Sequence, residues 1–430
     1  MKKVLSFLMM AILLVSFAGN VVAEEKKDVT LSFMASQDWI WDPEYKLIEQ
    51  FTAETGIKVD FQIVPSDQYF NLLMTRLNNG ECTDLFGYQS NRFDNISQIN
   101  AEKNCVDLSD QEWVTRLAPH IVPDLSVNGK VYGQPINDLS ATWAMAYNKN
   151  IFADLNLEIP TTWDEFIAVC EAIKTAGITP VYESVQDGWH HTLWFTELCV
   201  QIEEDFPGTA AKLSNNEITF ADNEQMILML NQYNDMVKAG YWGDEVQYMS
   251  NMYVDTARSI LSGEYAMTVY QQGLGGEIQA IDPSFDIEDI GYFVIPLGDN
   301  QVINANPSGP TRMIYSGSKH IEEAKMYLEW MARAESIDAM IDGVPKFNTL
   351  QYEGAKDKYP DSVREFFARY EKTGVVYQVA VSYVNPQWYE IGKEMTALLT
   401  GQQTVEGMLK AIDKNREVQA ITANDPNWVK

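Results

Sequence analysis

The hydrophobic positions near the amino terminus keep changing period. Val29, Leu31 and Phe33 alternate with polar residues, as in a half-buried strand. Leu47, Ile48 and Phe51 then recur at helical spacing, and Gly56 is the stop. Ile57, Val59, Phe61 and Ile63 alternate again until Pro65. Tyr69, Phe70, Leu73 and Leu77 mark a second helix that ends near Gly80, and Asp84 to Tyr88 reads as a third strand. Strand, helix, strand, helix, strand predicts a parallel α/β unit with right-handed crossovers. In such sheets the ligand lies beyond the carboxyl ends of the strands. That rule selects Trp39 and Trp41 after the first strand, and Tyr88 to Arg92 after the third.

From Gly129 to Phe166 the pattern predicts a hinge. A strand over Val131 to Ile136 meets a polar corner, Asn137 and Asp138, and an aromatic-rich strand follows from Ala141 to Tyr147. The chain leaves one α/β lobe there and enters another, so a cleft opens at Asp138. Thr162 and Glu165 form a capping-box start, and Trp163, Phe166, Ile167, Cys170 and Ile173 then recur at helical spacing. A strand from Thr179 to Tyr182 leads to a polar-aromatic loop carrying Trp189. Helices are expected over about 191–202, 223–238 and 254–261, and a short strand, Tyr265 to Tyr270, runs into Gln271. Gly291 to Pro296 reads as a second crossing. Arg312 to Ser316 and the helix Glu322 to Arg333 read as a return to the first lobe. Val363 to Tyr370, Trp388 to Leu399 and Thr404 to Asn415 are read as helices.

Length supports the division, since 430 residues is long for one core. The net charge of −30, with no basic stripe, excludes nucleic acid as a partner and disfavours an anionic membrane surface. Lys2 and Lys3, the apolar run Val4 to Phe17 and the Val21-Val22-Ala23 site form a secretory signal, with cleavage expected after Ala23. Asn20, not Cys, follows Phe17-Ala18-Gly19, so no lipoprotein anchor attaches there. The mature chain is expected to be periplasmic or secreted. Export permits disulfides, and the placement of Cys82 and Cys105 around a strand and a returning helix leaves room for one bridge. Cys170 and Cys199 read either as a second pair or as buried thiols.

An ordered set of segments resembles the family-1 extracellular solute-binding proteins, the carbohydrate-binding components of ABC importers, with maltose-binding protein a distant relative. The segments are Gly129-Lys130-Val131-Tyr132-Gly133-Gln134-Pro135, Tyr147-Asn148-Lys149-Asn150-Ile151-Phe152, and Pro160-Thr161-Thr162-Trp163-Asp164-Glu165-Phe166. Leu261-Ser262-Gly263-Glu264-Tyr265-Ala266-Met267, Ile321-Glu322-Glu323-Ala324, and Leu399-Thr400-Gly401-Gln402-Gln403-Thr404-Val405-Glu406 continue the order. The resemblance implies a type II periplasmic binding protein fold: two α/β lobes joined by crossing hinge strands. The first lobe is expected from 24–138 and 297–342, the second from 139–296 and 343–430, after a signal peptide at 1–23. It also implies a monomer that captures a sugar or oligosaccharide between its lobes and delivers it to membrane permease subunits, without a cofactor.

A sugar offers a C–H face that stacks on aromatic rings and hydroxyls that need planar polar partners. Residues of both kinds recur where the topology selects them: Gln37, Asp38, Trp39, Tyr88, Asn91, Arg92, Asp138, Trp189, Tyr270, Gln271 and Trp388. Each has a plainer role open to it: Asn91 in a turn, Asp138 bracing the hinge, Trp388 packing inward at a helix start. Where the maltose-binding relative has an aromatic residue this chain has Gly273, which argues against a maltose-like ligand. Enzyme chemistry finds little footing. His190 and His191 are adjacent and point apart, and no zinc, phosphate-loop or nucleophile-elbow spacing appears. The alternatives that remain are a polyamine or other non-sugar solute on the same fold, and a secreted glycoside hydrolase built on two of the carboxylates.

Overall fold

A computed structural model describes residues 28–428 except Asp38, 92–94, Ser97, His120, 139–140 and 306–308. The signal segment therefore lies outside the described residues. The amino-terminal alternation forms the strands Thr30–Ser36, Lys58–Val64 and Leu85–Ser90, with Thr30–Ser36 central and parallel to both neighbours. The helices Asp42–Thr55 and Ser66–Asn79 link them, and each stops at a left-handed glycine, Gly56 (φ 83°) and Gly80 (φ 72°). Gly309–Ile314 and Gln134–Pro135 complete a five-stranded sheet, and Gly309–Ile314 runs antiparallel to both of its neighbours. Beneath it Leu31, Phe33, Phe51, Tyr327 and Leu328 are buried together. A charged knot ties the return strand to the first helix: Arg312 donates through Nε (3.2 Å) and Nη2 (2.8 Å) to the buried Glu44, which also accepts from the Tyr327 hydroxyl (2.6 Å).

The second sheet has four strands, ordered Ile290–Phe293, Ala144–Asn148, Tyr265–Tyr270, Thr179–Tyr182. Ala144–Asn148 is antiparallel to both neighbours, and Thr179–Tyr182 is parallel to Tyr265–Tyr270. Its core is rich in aromatics, with Phe166, Trp194, Phe195, Tyr233, Trp242 and Phe293 all buried. Trp163, at the start of the helix Trp163–Thr175, and Trp242, just past the helix Glu224–Lys238, both belong to this packing.

Three expectations change in detail. The strand expected over 131–136 is two short pieces, because Lys130–Val131 pairs back on Ser126–Val127. Asn128 (φ 50°) and Gly129 (φ 77°) supply the two left-handed residues that such a tight hairpin turn demands. The helix expected over 191–202 is broken into His190–Thr192, Leu193–Thr196 and Gln201–Asp205. Leu193, Trp194, Phe195 and Thr196 are all buried, so this segment has no solvent face to give a helical period. The last helix runs past Asn415 to Thr422, because Arg416 on it is buried and fully engaged.

The crossing segments orient the whole. Ile136 N–H donates to the Pro310 carbonyl beside the paired ends Gly309 and Ser90, and eight residues later Ala144 pairs with Tyr270. The chain thus leaves the first sheet at the carboxyl end of Leu85–Ser90 and enters the second at the carboxyl end of Tyr265–Tyr270. Those two edges therefore lie at the two ends of one short crossing. Gln272 stitches the crossing: its Oε1 accepts from Thr142 N–H (2.7 Å), its Nε2 donates to the Thr142 hydroxyl (3.3 Å), and its carbonyl accepts from Asn348 Nδ2 (2.9 Å). Val302–Ala305 pairs with Lys372–Val375 outside both large sheets, while Val344, Phe347, Leu350 and Tyr352 pack into the first core.

Candidate ligand-binding cleft

On the first lobe the selected edge carries an aromatic group. Trp39 is half-buried and meets Tyr69 and Phe70 edge to face, with centroids 5.3 and 6.0 Å apart. Tyr69 is pinned by donating to the carbonyls of Met34 (3.1 Å) and Gly87 (2.5 Å). Gly87 makes room for the indole, since a Cβ there would lie 2.9 Å from Trp39 Cε3. Tyr88 is buried against Phe70 (5.9 Å), and Asn91 is buried with its carbonyl accepting from Asn95 N–H (2.9 Å). Gln37 is exposed at the end of Thr30–Ser36. Asp38 and Arg92 lie outside the described residues. Trp41 turns to the crossing, edge to face with Phe347 (5.4 Å) and 4.4 Å beneath the Lys346 ammonium.

The second lobe answers with a larger cluster. Trp143 and Trp189, both half-buried, are 6.0 Å apart at 60°, and Tyr253 lies 5.1 Å from Trp189. Asp187 Oδ2 accepts from Tyr253 N–H (2.5 Å), holding that turn against the Trp189 loop. Tyr270 is 1% exposed and lies flat behind Tyr253, with rings 5.0 Å apart at 10°, so it backs the surface rather than forming it. Its hydroxyl donates to Glu277. Gln271, next in the chain, is half-buried at the edge. Trp388 is half-buried and opens the helix Trp388–Leu399. That helix sits directly on the Trp189 loop: a Cβ on Gly392 would lie 2.0 Å from the Gly188 carbonyl, and His191 Nε2 donates to the Gly392 carbonyl (2.9 Å).

Beneath the cluster lies a charged pair. Glu183, fully buried, bonds His190 Nδ1 through one oxygen and accepts from Trp194 Nε1 (2.9 Å) through the other. Burial pushes the Glu183 carboxyl up, but the His190 charge and hydrogen bond, with the Trp194 N–H, outweigh it and hold the group below its usual range. Adjacent His191 points the other way, and burial pushes its value down.

Asp138 stands at the hinge, buried, accepting from Gln351 Nε2 (3.0 Å) and at longer range from the Tyr359 hydroxyl (3.5 Å). The bridge for which Cys82 and Cys105 left room is not formed. Both are free thiols, and Cys105 Sγ turns instead to Met313 Sδ (3.9 Å). Cys170 and Cys199 are free and buried. A cavity of about 550 Å³ lies beside the crossing, lined by Gln272, Gly276, Tyr292, Asp342, Asn348 and Lys358, apart from the aromatic surfaces. Periodicity had no way to single out Trp143, Tyr253, Glu183 or His190. Trp143 reads as one more apolar strand residue, Tyr253 sits in an aperiodic turn, and a buried pair seven residues apart leaves no spacing signature. Among the described residues no cluster of His, Cys, Asp or Glu is arranged to hold a metal.

Two α/β lobes joined by a crossing between the carboxyl edges of their sheets define a type II periplasmic binding protein fold. The chain belongs to the bacterial extracellular solute-binding protein family, which residues 42–337 match. It is 22% identical over 345 residues to the multiple sugar-binding protein of Streptococcus mutans, covering 78% of this chain and 79% of that one. It is 24% identical over 330 residues to the melibiose/raffinose/stachyose-binding protein MelE of Bacillus subtilis, covering 74% and 73%. In structure it resembles a Bacillus licheniformis sugar transporter protein solved with stachyose, with a TM-score of 0.74 at 19% identity over 91% of this chain and 100% of that one.

Proposed function

We propose that this chain is the exported binding component of an ABC importer, which captures a neutral oligosaccharide between its lobes and presents it to a membrane permease. The observation that carries the reading is an aromatic cluster at each of the two sheet edges that the crossing joins: Trp39 with its neighbours on one, Trp143, Trp189 and Tyr253 on the other. Half-buried rings held edge-on by other rings leave a face for a pyranose C–H surface. Gln37 and Gln271 at the same edges are polar partners for hydroxyls. The sugar-binding relatives support the ligand class. In this reading Ala23 ends the signal peptide and the mature monomer works outside the cytoplasm.

Closure follows from differential affinity. A sugar that touches both walls binds the closed form more tightly and draws the population to it. A micromolar ligand supplies about −8 kcal/mol in all, part of which offsets closure.

The test is thermal melting of the chain from Glu24 with raffinose, stachyose, xylotriose, chitotriose and maltotriose, with spermidine as a cationic control. A sugar at 100 times its Kd stabilises by about 2.7 kcal/mol, a shift of a few degrees. The expected result is a shift with one sugar class, and a rise of at least about tenfold in Kd for Trp189→Ala. A shift with spermidine alone would overturn the ligand class. Sugar cleavage during the assay would overturn the role.

A further inference from the structure

We propose that the buried Glu183–His190 pair is the positioning device of the second aromatic wall: it sets the ring planes of Trp143, Trp189 and Tyr253, and through them the affinity for a sugar. The consequence for affinity rests on the reading of that wall as a sugar site. The claim about ring geometry stands without it.

His190 is 1% exposed, so solvent does not hold its ring. Hydrogen bonds do. Nδ1 meets the Glu183 carboxylate, and Nε2 meets the Val269 carbonyl at 3.0 Å. A carbonyl only accepts, so Nε2 carries a proton and donates. Glu183 is itself held, because its second oxygen accepts from Trp194 Nε1 at 2.9 Å, and Trp194 is a fully buried core residue. The imidazole is therefore fixed at both ends of its ring.

Three rings rest on this fixed plane. Trp143 lies 5.6 Å away at 83°, Trp189 5.1 Å away at 75°, and Tyr253 5.4 Å away at 37°. The two indoles meet it edge to face, the arrangement in which an electropositive ring edge is directed at an electron-rich face. An aliphatic residue at 190 would fill the volume without defining a plane. The other titratable groups around it are accounted for. His191 turns to the Gly392 carbonyl and Thr396, the Tyr253 ring stacks on Tyr270, and Tyr270 donates to Glu277. Glu183 is thus the carboxylate bonded to His190.

The test compares wild type, Glu183→Ala and Glu183→Gln in the mature chain. Near-UV circular dichroism of the ligand-free protein reads the coupled indoles, and titration with raffinose reads affinity. Glu183→Ala is expected to change the near-UV band and raise the raffinose Kd by at least about tenfold. Glu183→Gln has the shape to rescue it at pH 8: the amide donates to an unprotonated Nδ1 while its oxygen still accepts from Trp194. Glu183→Gln is therefore expected to keep the wild-type near-UV band and affinity that Glu183→Ala loses.

A Glu183→Gln protein whose band and affinity are altered as much as those of Glu183→Ala would overturn the proposal. So would a Glu183→Ala protein that melts earlier but keeps the wild-type band. Should Glu183→Ala fail to fold, His190→Leu, which fills the volume without either hydrogen bond, takes its place in the same comparison and is expected to change the band and weaken raffinose. If wild type binds no sugar, the functional reading fails, and the ligand-free spectra still decide whether the pair sets the rings.

Discussion

Asp124 shows how one partly buried side chain gives the protein a pH dependence. It lies in the turn before Leu125, and burial pushes its carboxyl up to about 6. A carboxyl raised above its unfolded value of about 3.9 favours the protonated form in the fold. Its stabilising contribution is full below about pH 4 and is lost as pH rises through about 6. Asp124→Asn, similar in shape and uncharged, should therefore raise Tm at pH 7.5 by about 1–3 °C, the shift being reduced by the group's partial exposure. At pH 4 the two proteins should melt together. An equal gain at both values would assign the effect to something other than ionisation. Nothing in the residues around Asp124 announces its burial, which comes from the folding of its surroundings.

Among the elements, the helix Trp163–Thr175 was fully legible. Its cap is local: Glu165 N–H donates to the Thr162 hydroxyl (3.3 Å), and the Glu165 carboxylate accepts from Thr162 N–H (3.3 Å), a pattern written in four consecutive residues. The last helix was legible only in part, because what extends it is remote in sequence. Arg416 donates through Nη2 to the Leu213 carbonyl (2.7 Å), 203 residues away, and through Nε to the Ser382 carbonyl (3.1 Å). Its guanidinium also lies 4.9 Å from the Phe220 ring and 5.0 Å from the Trp428 ring. A charge in the sequence suggests a solvated face, and only the packing reveals this one as an anchor. Arg416→Ala removes those bonds and deprives half-buried Asp413 of its cation, although Asp413 still accepts from Phe220 and Ala221 N–H. The expected cost is about 3 kcal/mol, read as a lower urea midpoint at unchanged slope. A loss under about 1 kcal/mol would show the anchor to be dispensable.

For the whole molecule, alternation and helical spacing were enough to expose two α/β units, and the carboxyl-end rule pointed to the first-lobe edge where Trp39 stands. The same reasoning stopped at the wall's supports, since Glu183 and His190 act through contacts that only the folded sheet creates. It also placed Tyr270 one layer too far forward, because strand position tells which end a residue occupies and not what covers it. The join between lobes is likewise a product of the fold. Gln272 holds Thr142 through its side chain and Asn348 through its backbone carbonyl, so Gln272→Ala keeps the Asn348 bond but strands the buried Thr142 N–H and hydroxyl, at a cost of about 1–3 kcal/mol. If that stitch couples the lobes, calorimetry of the variant should show a broadened or divided transition in place of a single one. One sharp transition, merely shifted, would mean the lobes are coupled elsewhere.

The contact at Gly273 reaches into protein engineering. A Cβ there would lie 2.2 Å from the Lys346 carbonyl oxygen and 2.5 Å from its Cα, and a Cβ on Gly276 would lie 2.2 Å from the Pro345 carbonyl. Backbone, not a yielding side chain, fills the space. Random substitution at 273 alone is therefore a barren library, whatever ring it offers. Variation there becomes productive only when the 345–346 segment is rebuilt in the same clone, so this spot changes by paired steps.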